Sequence, residues 1–367
     1  MEIIHLVLGK ANPERMNGVN KVVSQLAAHQ CRMGRDVSIW GITRNPDRNF
    51  GERSYRTEIF PAARHPFGVS KPLRKAIAGK AGQDAVFHLH GGWVPVYATI
   101  SRLLDRHRIR FVITAHGAYN SVAMQRSKWL KRIYFRLFER PMLQKAHKIH
   151  SIGQSEAEGL QYIYPNTKNH LLPYGFEPAS SEHGKSLNKE GFTIGFIGRL
   201  DTWTKGLDLL IRAFHEFQKT ENDSRLWIIG EGPGRSALED FITENGVSNV
   251  VLWGSKFGSD KDYLLSQMHV FAHPSRNEGL PASVLEAAAA GIPLVVSHQT
   301  NTAEQVARYK AGIAIADTDV KSLLKAFKQL KQHNAQTMDT LSDNAMKMVS
   351  EEYSWEKLVP QFDEIYC

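Results

Sequence analysis

Short apolar runs alternate with amphipathic stretches along nearly the whole chain. Ile3–Leu8 is a run of strand character, a loop over 9–18 follows, and Val19–Met33 carries its apolar residues at helical spacing until Gly34 stops it. Asp36–Ile42 is the next apolar run. Strand, loop, helix and strand in that order predict a parallel, doubly wound α/β sheet. The alternation resumes with AVFHLHGGW, FVITAHGAY and HKIHSIG, where Ser155 and Glu158 predict a capping box for the following helix. Residues 43–84 do not resolve into elements and leave room for a mobile loop. A polar stretch with Gly and Ser over 177–190 predicts a linker. Beyond it a second series begins: FTIGFIGRL, LWIIGEGPG, NVVLWGSKF, HVFAHPS, Ile292–Val296 and Gly312–Ala316. The pattern therefore predicts two Rossmann-like domains, 1–178 and 190–352, with a last helix over about 353–367.

At 367 residues the chain can build a substantial core in each domain. Its two cysteines, Cys31 and Cys367, cannot form a disulfide framework, which points to a reducing, cytoplasmic compartment. The first residues, MEIIHLVLGK, read as a strand rather than a signal peptide, and no apolar run approaches the ~20 residues of a membrane span. The net charge of +9 is uneven. Residues 1–178 hold 27 Lys+Arg against 12 Asp+Glu, and the remainder 19 against 25. A basic first half suggests an acidic partner there, but no zinc-ligand spacing, recognition helix or aromatic RNA-binding motif supports nucleic acid. Within that half, residues 126–148 carry eight basic side chains, one acid, and a stripe including Trp129, Ile133, Tyr134 and Phe138. Such a segment suits the surface of an anionic membrane, with the chain peripheral at the inner face. Core packing of the stripe is the plainer expectation.

The densest chemistry lies in HPSRNEGLPASVLEAAAAGIPLVVS, residues 273–297. A buried strand leads into the loop RNEGLP. Pro281 sits where a first helical residue is expected, and Ser283–Ala290 predicts a helix stopped by Gly291 and Pro293. Glu278 lies in the loop. Glu286 lies about one turn into the helix, on the side facing back. Between them the helix N-terminus offers unpaired N–H groups to an anion. An anion flanked by two acceptors of hydroxyl bonds suits a sugar nucleotide. Two tempting motifs fail on their spacing. GKS at 184–186 is no P-loop, because Ala179 stands where its first glycine belongs, and GEGPGR lacks the last glycine of a dinucleotide fingerprint, which is Arg235.

E-G-L-P-x-x-x-L-E-A with H-P-S before it resembles the signature of the retaining family 4 glycosyltransferases, and further landmarks of that family follow in order along almost the whole chain. The resemblance implies the GT-B fold: two Rossmann-like domains with parallel sheets facing a central cleft, and a last helix that crosses back onto the first domain. It implies transfer of a sugar, a hexose by type, from a nucleotide-sugar donor to a glycan or lipid-linked acceptor, in surface polysaccharide or glycoconjugate synthesis. Retention would proceed without a carboxylate nucleophile, and neither cofactor nor metal is expected. In the second domain it places Arg199 and Lys205 on the diphosphate, with one more residue between them than usual. It places Gly230, Glu231, Gly232, Lys256 and Phe257 near the base, Glu286 on the ribose, and Glu278 with Gly279 and Leu280 at the donor sugar. In the first domain it places His116 over the donor sugar and Gly18 near the phosphates, where Asn17-Gly18 stands for a usual Gly-Gly. The strand-end residues His90, Gly92, Trp93 and Tyr119 fall on the acceptor side. Histidines at these two strand ends lack the carboxylate or cysteine company of a metal site. A nucleotide-sugar epimerase on the same fold, or a non-catalytic nucleotide-sugar-binding subunit, are the alternatives.

Overall fold

The computed structural model describes residues 1–10, 18–47, 51–120, 128–177 and 191–367. Asn17, GKS at 184–186 and most of the expected linker lie outside these residues. The chain divides into two compact units, Met1–Glu177 with Trp355–Cys367, and Pro178–Ser354.

The first unit is built on a seven-stranded sheet in the order β3-β2-β1-β4-β5-β6-β7. Its strands are β1 (Glu2–Leu8), β2 (Asp36–Thr43), β3 (Arg56–Pro61), β4 (Ala85–His90), β5 (Arg110–Thr114), β6 (Lys148–Ser151) and β7 (Asn169–Leu171). All described pairings are parallel. The region 43–84, which carries no readable pattern, contains β3 and the helix Lys71–Ala78. β3 is an edge strand of alternating exposure with few apolar residues, so its pattern is weak. One face of the sheet packs Ile4, Leu6, Phe87, Leu89, Ile113 and Ile149 into an apolar core. The other face places His5 beside His88, and Thr114 beside both His90 and His150. That polar face is buried, and the helices Gly18–Arg32 and Trp355–Tyr366 supply its partners, Gln30 and Tyr366.

Two local expectations are corrected. The helix after β6 runs Gln154–Ile163 with Gly153 at its N-cap, so Ser155 lies inside the first turn and forms no capping box with Glu158. Glu156 is the residue that serves the chain here, accepting from Gly117 N at 2.6 Å and Ile152 N at 3.2 Å. The basic segment forms the helices Lys128–Tyr134 and Arg140–Lys145, joined by a π-helical turn Phe135–Glu139. Phe135, Met142 and Leu143 are its core side. Trp129, Leu130, Ile133 and Leu137 are 75%, 74%, 58% and 54% exposed, so core packing does not account for them.

The second unit carries a six-stranded parallel sheet in the order β10-β9-β8-β11-β12-β13. These strands are β8 (Phe192–Ile197), β9 (Ser224–Ile229), β10 (Val250–Gly254), β11 (Val270–His273), β12 (Leu294–Ser297) and β13 (Gly312–Ile315). β8 and β11 are buried along their whole length, as central strands covered on both faces must be. The glutamate helix runs Ala282–Ala289, with Pro281 at its N-cap position rather than within it. Among the described residues, no helix is long and apolar enough to cross a membrane.

Candidate active site

β8 and β11 are neighbours, and parallel pairing carries the loops that leave them to one edge. The loop after β8 ends in Lys205 and Gly206. Gly206 adopts φ +68°, and a Cβ there would stand 2.1 Å from the Pro274 carbonyl oxygen, so the two loops touch only because this residue is glycine. Arg276 then ties them together. Its guanidinium grips Asp208 through two bonds of 2.7 and 2.8 Å and donates to the Trp203 carbonyl at 2.7 Å. Within the interval between Arg199 and Lys205, the Arg276 guanidinium lies 5.4 Å from the ring centre of Trp203.

Lys205 consequently reaches Glu278, forming an ion pair with Oε1. His273 Nε2 lies 2.9 Å from the same oxygen, and the Ser275 hydroxyl donates to it at 3.1 Å. All three bonds converge on Oε1. Burial alone would push this carboxyl up; the bonds from His273 and Lys205 outweigh it and hold the group at about 2. Burial lowers the His273 imidazole below its ordinary value, and the ring stacks on Phe196 with centroids 5.1 Å apart. From the end of β12, Asn301 donates to the Glu278 and Gly279 carbonyls at 3.0 and 2.5 Å, which locks the loop.

Glu286 lies on the glutamate helix with Lys261 Nζ 2.9 Å from its Oε1. Arg199 is exposed and makes no ion pair among the described residues. Gly230 leaves β9 with φ +141°, and a Cβ there would stand 1.9 Å from the Gly198 carbonyl oxygen, so the GEG turn packs against the turn before Arg199. Glu231 pairs with Arg235 at 2.8 Å, which gives the misplaced arginine of the failed dinucleotide motif its partner. Phe257 is exposed at the N-cap of the helix Gly258–Ser266, with Lys256 half-buried beside it. Gly279 and Leu280 are half-buried in the locked loop.

In the first unit, Trp93 and His116 both adopt left-handed backbone, φ 60° and 56°, just beyond neighbouring strands. For bulky residues such conformations are strained and persist only where packing enforces them. Trp93 Nε1 donates to the Ala118 carbonyl at 3.0 Å, and Gly92 is closely packed on Ala118 and Ala115. His116 is half-buried and stacks on Tyr174 at 5.4 Å. Two acceptor-side expectations need correction. Tyr119 is buried with its hydroxyl on Glu139, so it presents nothing to a ligand. His90 is also buried, and Nδ1 lies 3.1 Å from His116 Nε2, so it stands behind His116 rather than beside it. Gly18 opens the helix Gly18–Arg32, and no described residue lies within 4 Å of a Cβ placed there.

Residues 17–175 match the family model described as glycosyl transferase 4-like domain. Residues 180–348 match the model described as glycosyl transferases group 1. The chain belongs to the family 4 glycosyltransferases. This glycosyltransferase is similar to the O-antigen chain mannosyltransferase C of Escherichia coli, 24% identical over 386 residues that span 100% of this chain and 98% of that one. It is 26% identical to the capsular polysaccharide biosynthesis glycosyltransferase CapM of Staphylococcus aureus over 229 residues, 60% of this chain and 57% of CapM. Among solved structures, Anabaena HepE in complex with UDP and glucose matches with a TM-score of 0.73 at 16% identity, covering 99% of this chain and 98% of HepE. The shared fold is GT-B.

Several residues around the candidate site carry no legible signal in the sequence. Lys261 sits in an otherwise ordinary surface helix, and only the packing of that helix brings it to Glu286. Asn301 and Asp208 act on the locked loop from 23 and 68 residues away respectively. Asn301 has one local mark, its left-handed φ of 58°, and that is visible only in the fold.

Proposed function

We propose that this glycosyltransferase transfers a hexose with retention from a nucleotide-sugar donor to a glycan or lipid-linked acceptor, in the synthesis of a surface polysaccharide or glycoconjugate. The observation that carries the reading is the polarity of Glu278. Its Oε1 is saturated by Lys205, His273 and Ser275, which leaves Oε2 of an ionised, half-buried carboxylate to accept from vicinal sugar hydroxyls. Glu286, with Lys261 on its Oε1, is assigned to the ribose. Between them, Arg199, Lys205 and the N-terminus of the glutamate helix supply positive potential for a departing diphosphate. That cationic set would do the work of a divalent ion, so metal-independent transfer is part of the proposal. The leaving phosphate takes the acceptor's proton on the same face, and no carboxylate need attack the anomeric carbon. His116, with the 92–93 turn beside it, is assigned to the sugar and acceptor side.

The acceptor end of the proposal draws on the helices Lys128–Tyr134 and Arg140–Lys145. Their exposed apolar side chains are interleaved with Arg132, Arg136 and Arg140, while the acid of the segment, Glu139, is buried. Positive charge around exposed Trp and Leu fits an anionic lipid bilayer carrying the acceptor.

The decisive assay follows free nucleoside diphosphate released from a panel of nucleotide sugars, with and without acceptor glycans or lipids. Release that requires an acceptor is the expected result. Sugar interconversion without release would make the chain an epimerase, and binding without turnover a non-catalytic subunit.

A further inference from the structure

The buried polar face of the first sheet holds a continuous line of hydrogen bonds that begins at a backbone carbonyl and ends at His116. Its direction follows from one fixed point. The Leu172 carbonyl can only accept, and His150 Nε2 lies 2.7 Å from it, so a neutral His150 carries its proton on Nε2. His150 Nδ1 must then accept, and the Thr114 hydroxyl, 2.7 Å away, donates to it. Thr114 in turn accepts from His88 Nε2 at 2.6 Å, which leaves His88 Nδ1 to accept from the Tyr366 hydroxyl at 2.9 Å. The Tyr366 oxygen accepts from Gln30 Nε2 at 3.3 Å, which turns Gln30 Oε1 towards His5 Nε2 at 2.7 Å. His5 Nδ1 accepts from His90 Nε2 at 2.9 Å, and His90 Nδ1 faces His116 Nε2 at 3.1 Å. A lone pair on His116 Nε2 would face the lone pair of His90 Nδ1, so the His116 proton sits on Nε2. Tyr174 completes the junction, its hydroxyl 3.4 Å from both His90 Nδ1 and His116 Nε2.

We propose that this polarised line, anchored at Leu172 and passing through Tyr366 and Gln30, sets the tautomer of His116, so that its Nδ1 is presented as a hydrogen-bond acceptor for a hydroxyl group. His150, Thr114, His88, Tyr366, Gln30, His5 and His90 are positioning residues. The scheme needs every imidazole to be neutral, and burial provides this: it lowers His5 and His150 to about 4 and His116 to about 3, and holds His88 and His90 well below the ordinary histidine range. The line also explains why His5, His88 and His90 bring nitrogens within 4.8 Å of one another, the spacing of a metal cluster. Each of their nitrogens is already committed to a neighbour in the line. A fixed, neutral His116 cannot act as an acid at neutral pH and cannot donate from Nδ1; it selects a substrate group that donates, as a sugar hydroxyl does. This last step rests on the transferase reading, whereas the tautomer itself does not.

The test is nitrogen-15 NMR of histidine-labelled full-length protein, without donor or acceptor, between pH 6 and 8. The wild-type protein should show His116 as a single neutral species protonated on Nε2. A proton on His116 Nδ1, or a mixture of tautomers, overturns the proposal. Tyr366→Phe removes one hydroxyl and cuts the line, so Gln30 is free to turn either end of its amide towards His5. His5, His90 and His116 should then show both tautomers, while His150 keeps its proton on Nε2. An unchanged His116 in this variant, even with stability lost, reduces the line to a structural role. Should Tyr366→Phe fail to fold, Gln30→Leu makes the same cut and the wild-type spectrum stands by itself. Once a donor is known, turnover of the cut variant should fall by about the fraction of molecules in the wrong tautomer. Because the spectrum needs no substrate, it can succeed while the transferase assay fails, or the reverse.

Discussion

Three donors of different chemistry meet Glu278 at one oxygen: the Lys205 ammonium, the His273 ring and the Ser275 hydroxyl. Removing the charged one has two separable consequences. Lys205→Ala should lower kcat/KM by about ten- to a hundredfold, the worth of a charged hydrogen bond at the departing diphosphate. It should also raise the Glu278 carboxyl from about 2, because burial then acts against fewer compensating bonds. The protonated form becomes populated at mildly acidic pH, and the acid limb of the rate profile moves up. Steady-state kinetics from pH 5 to 8 checks both, and unchanged kinetics removes Lys205 from the site. At this scale the sequence is informative about what is local. Glu278, Glu286, Arg199 and Lys205 lie in motifs whose loop or helix is readable, Lys205 despite the additional residue before it. Lys261, Asn301 and Arg276's grip on Asp208 are not, because they depend on side chains meeting across loops that no local pattern connects.

The elements repeat that division. Long apolar runs at β8 and β11 read cleanly, since strands buried on both faces leave no ambiguity of period. β3 goes unread because an edge strand needs few apolar residues. On the histidine face, His90 looks like strand-end chemistry in sequence, yet the fold turns it inward with His5, His88 and His150 as one buried line. The basic segment shows the opposite error: a stripe at helical spacing reads as core, and part of it faces outward. If that face meets an anionic bilayer, the protein should sediment with vesicles containing anionic lipid at low salt and be released as salt rises. Each basic group near the surface contributes ~1 kcal/mol before screening. Ile133→Asp with Leu137→Asp should abolish sedimentation without lowering the thermal midpoint, both side chains being exposed. No binding to anionic vesicles by the wild-type protein would mean a soluble acceptor.

For the whole molecule, the buried line makes stability depend on pH. His5 and His150 stay neutral to about 4 in the folded chain, against 6.5 for an ordinary histidine. Between those values the unfolded chain binds more protons, so stability present at neutral pH is lost as pH falls; His88, His90 and His116 act in the same direction. Glu139 and Glu156 oppose them. Burial raises both from 4.5 to about 7, so over that interval the folded chain holds the additional protons. The histidines outnumber the carboxyls, which leaves a net loss of stability as pH falls from 6 to 5. Urea midpoints at pH 7 and 5 measure it, and a midpoint that holds or rises at pH 5 contradicts it. The parallel α/β plan was readable because most strands and helices announce themselves within a few residues, β3 and the helix Lys71–Ala78 excepted; the identity of the proposed donor is not, because base and sugar are chosen by loop geometry. The most direct test of the central claim, that the second unit binds a nucleotide-sugar donor through Glu286, is calorimetry of UDP, GDP and ADP on the wild-type protein and on Glu286→Gln. One nucleoside diphosphate should bind the wild type, and the substitution should weaken it by roughly thirty- to a thousandfold, the loss of ~2–4 kcal/mol from a carboxylate bridging two ribose hydroxyls. Binding of equal strength to both proteins, or of none of the three to the wild type, would contradict the account.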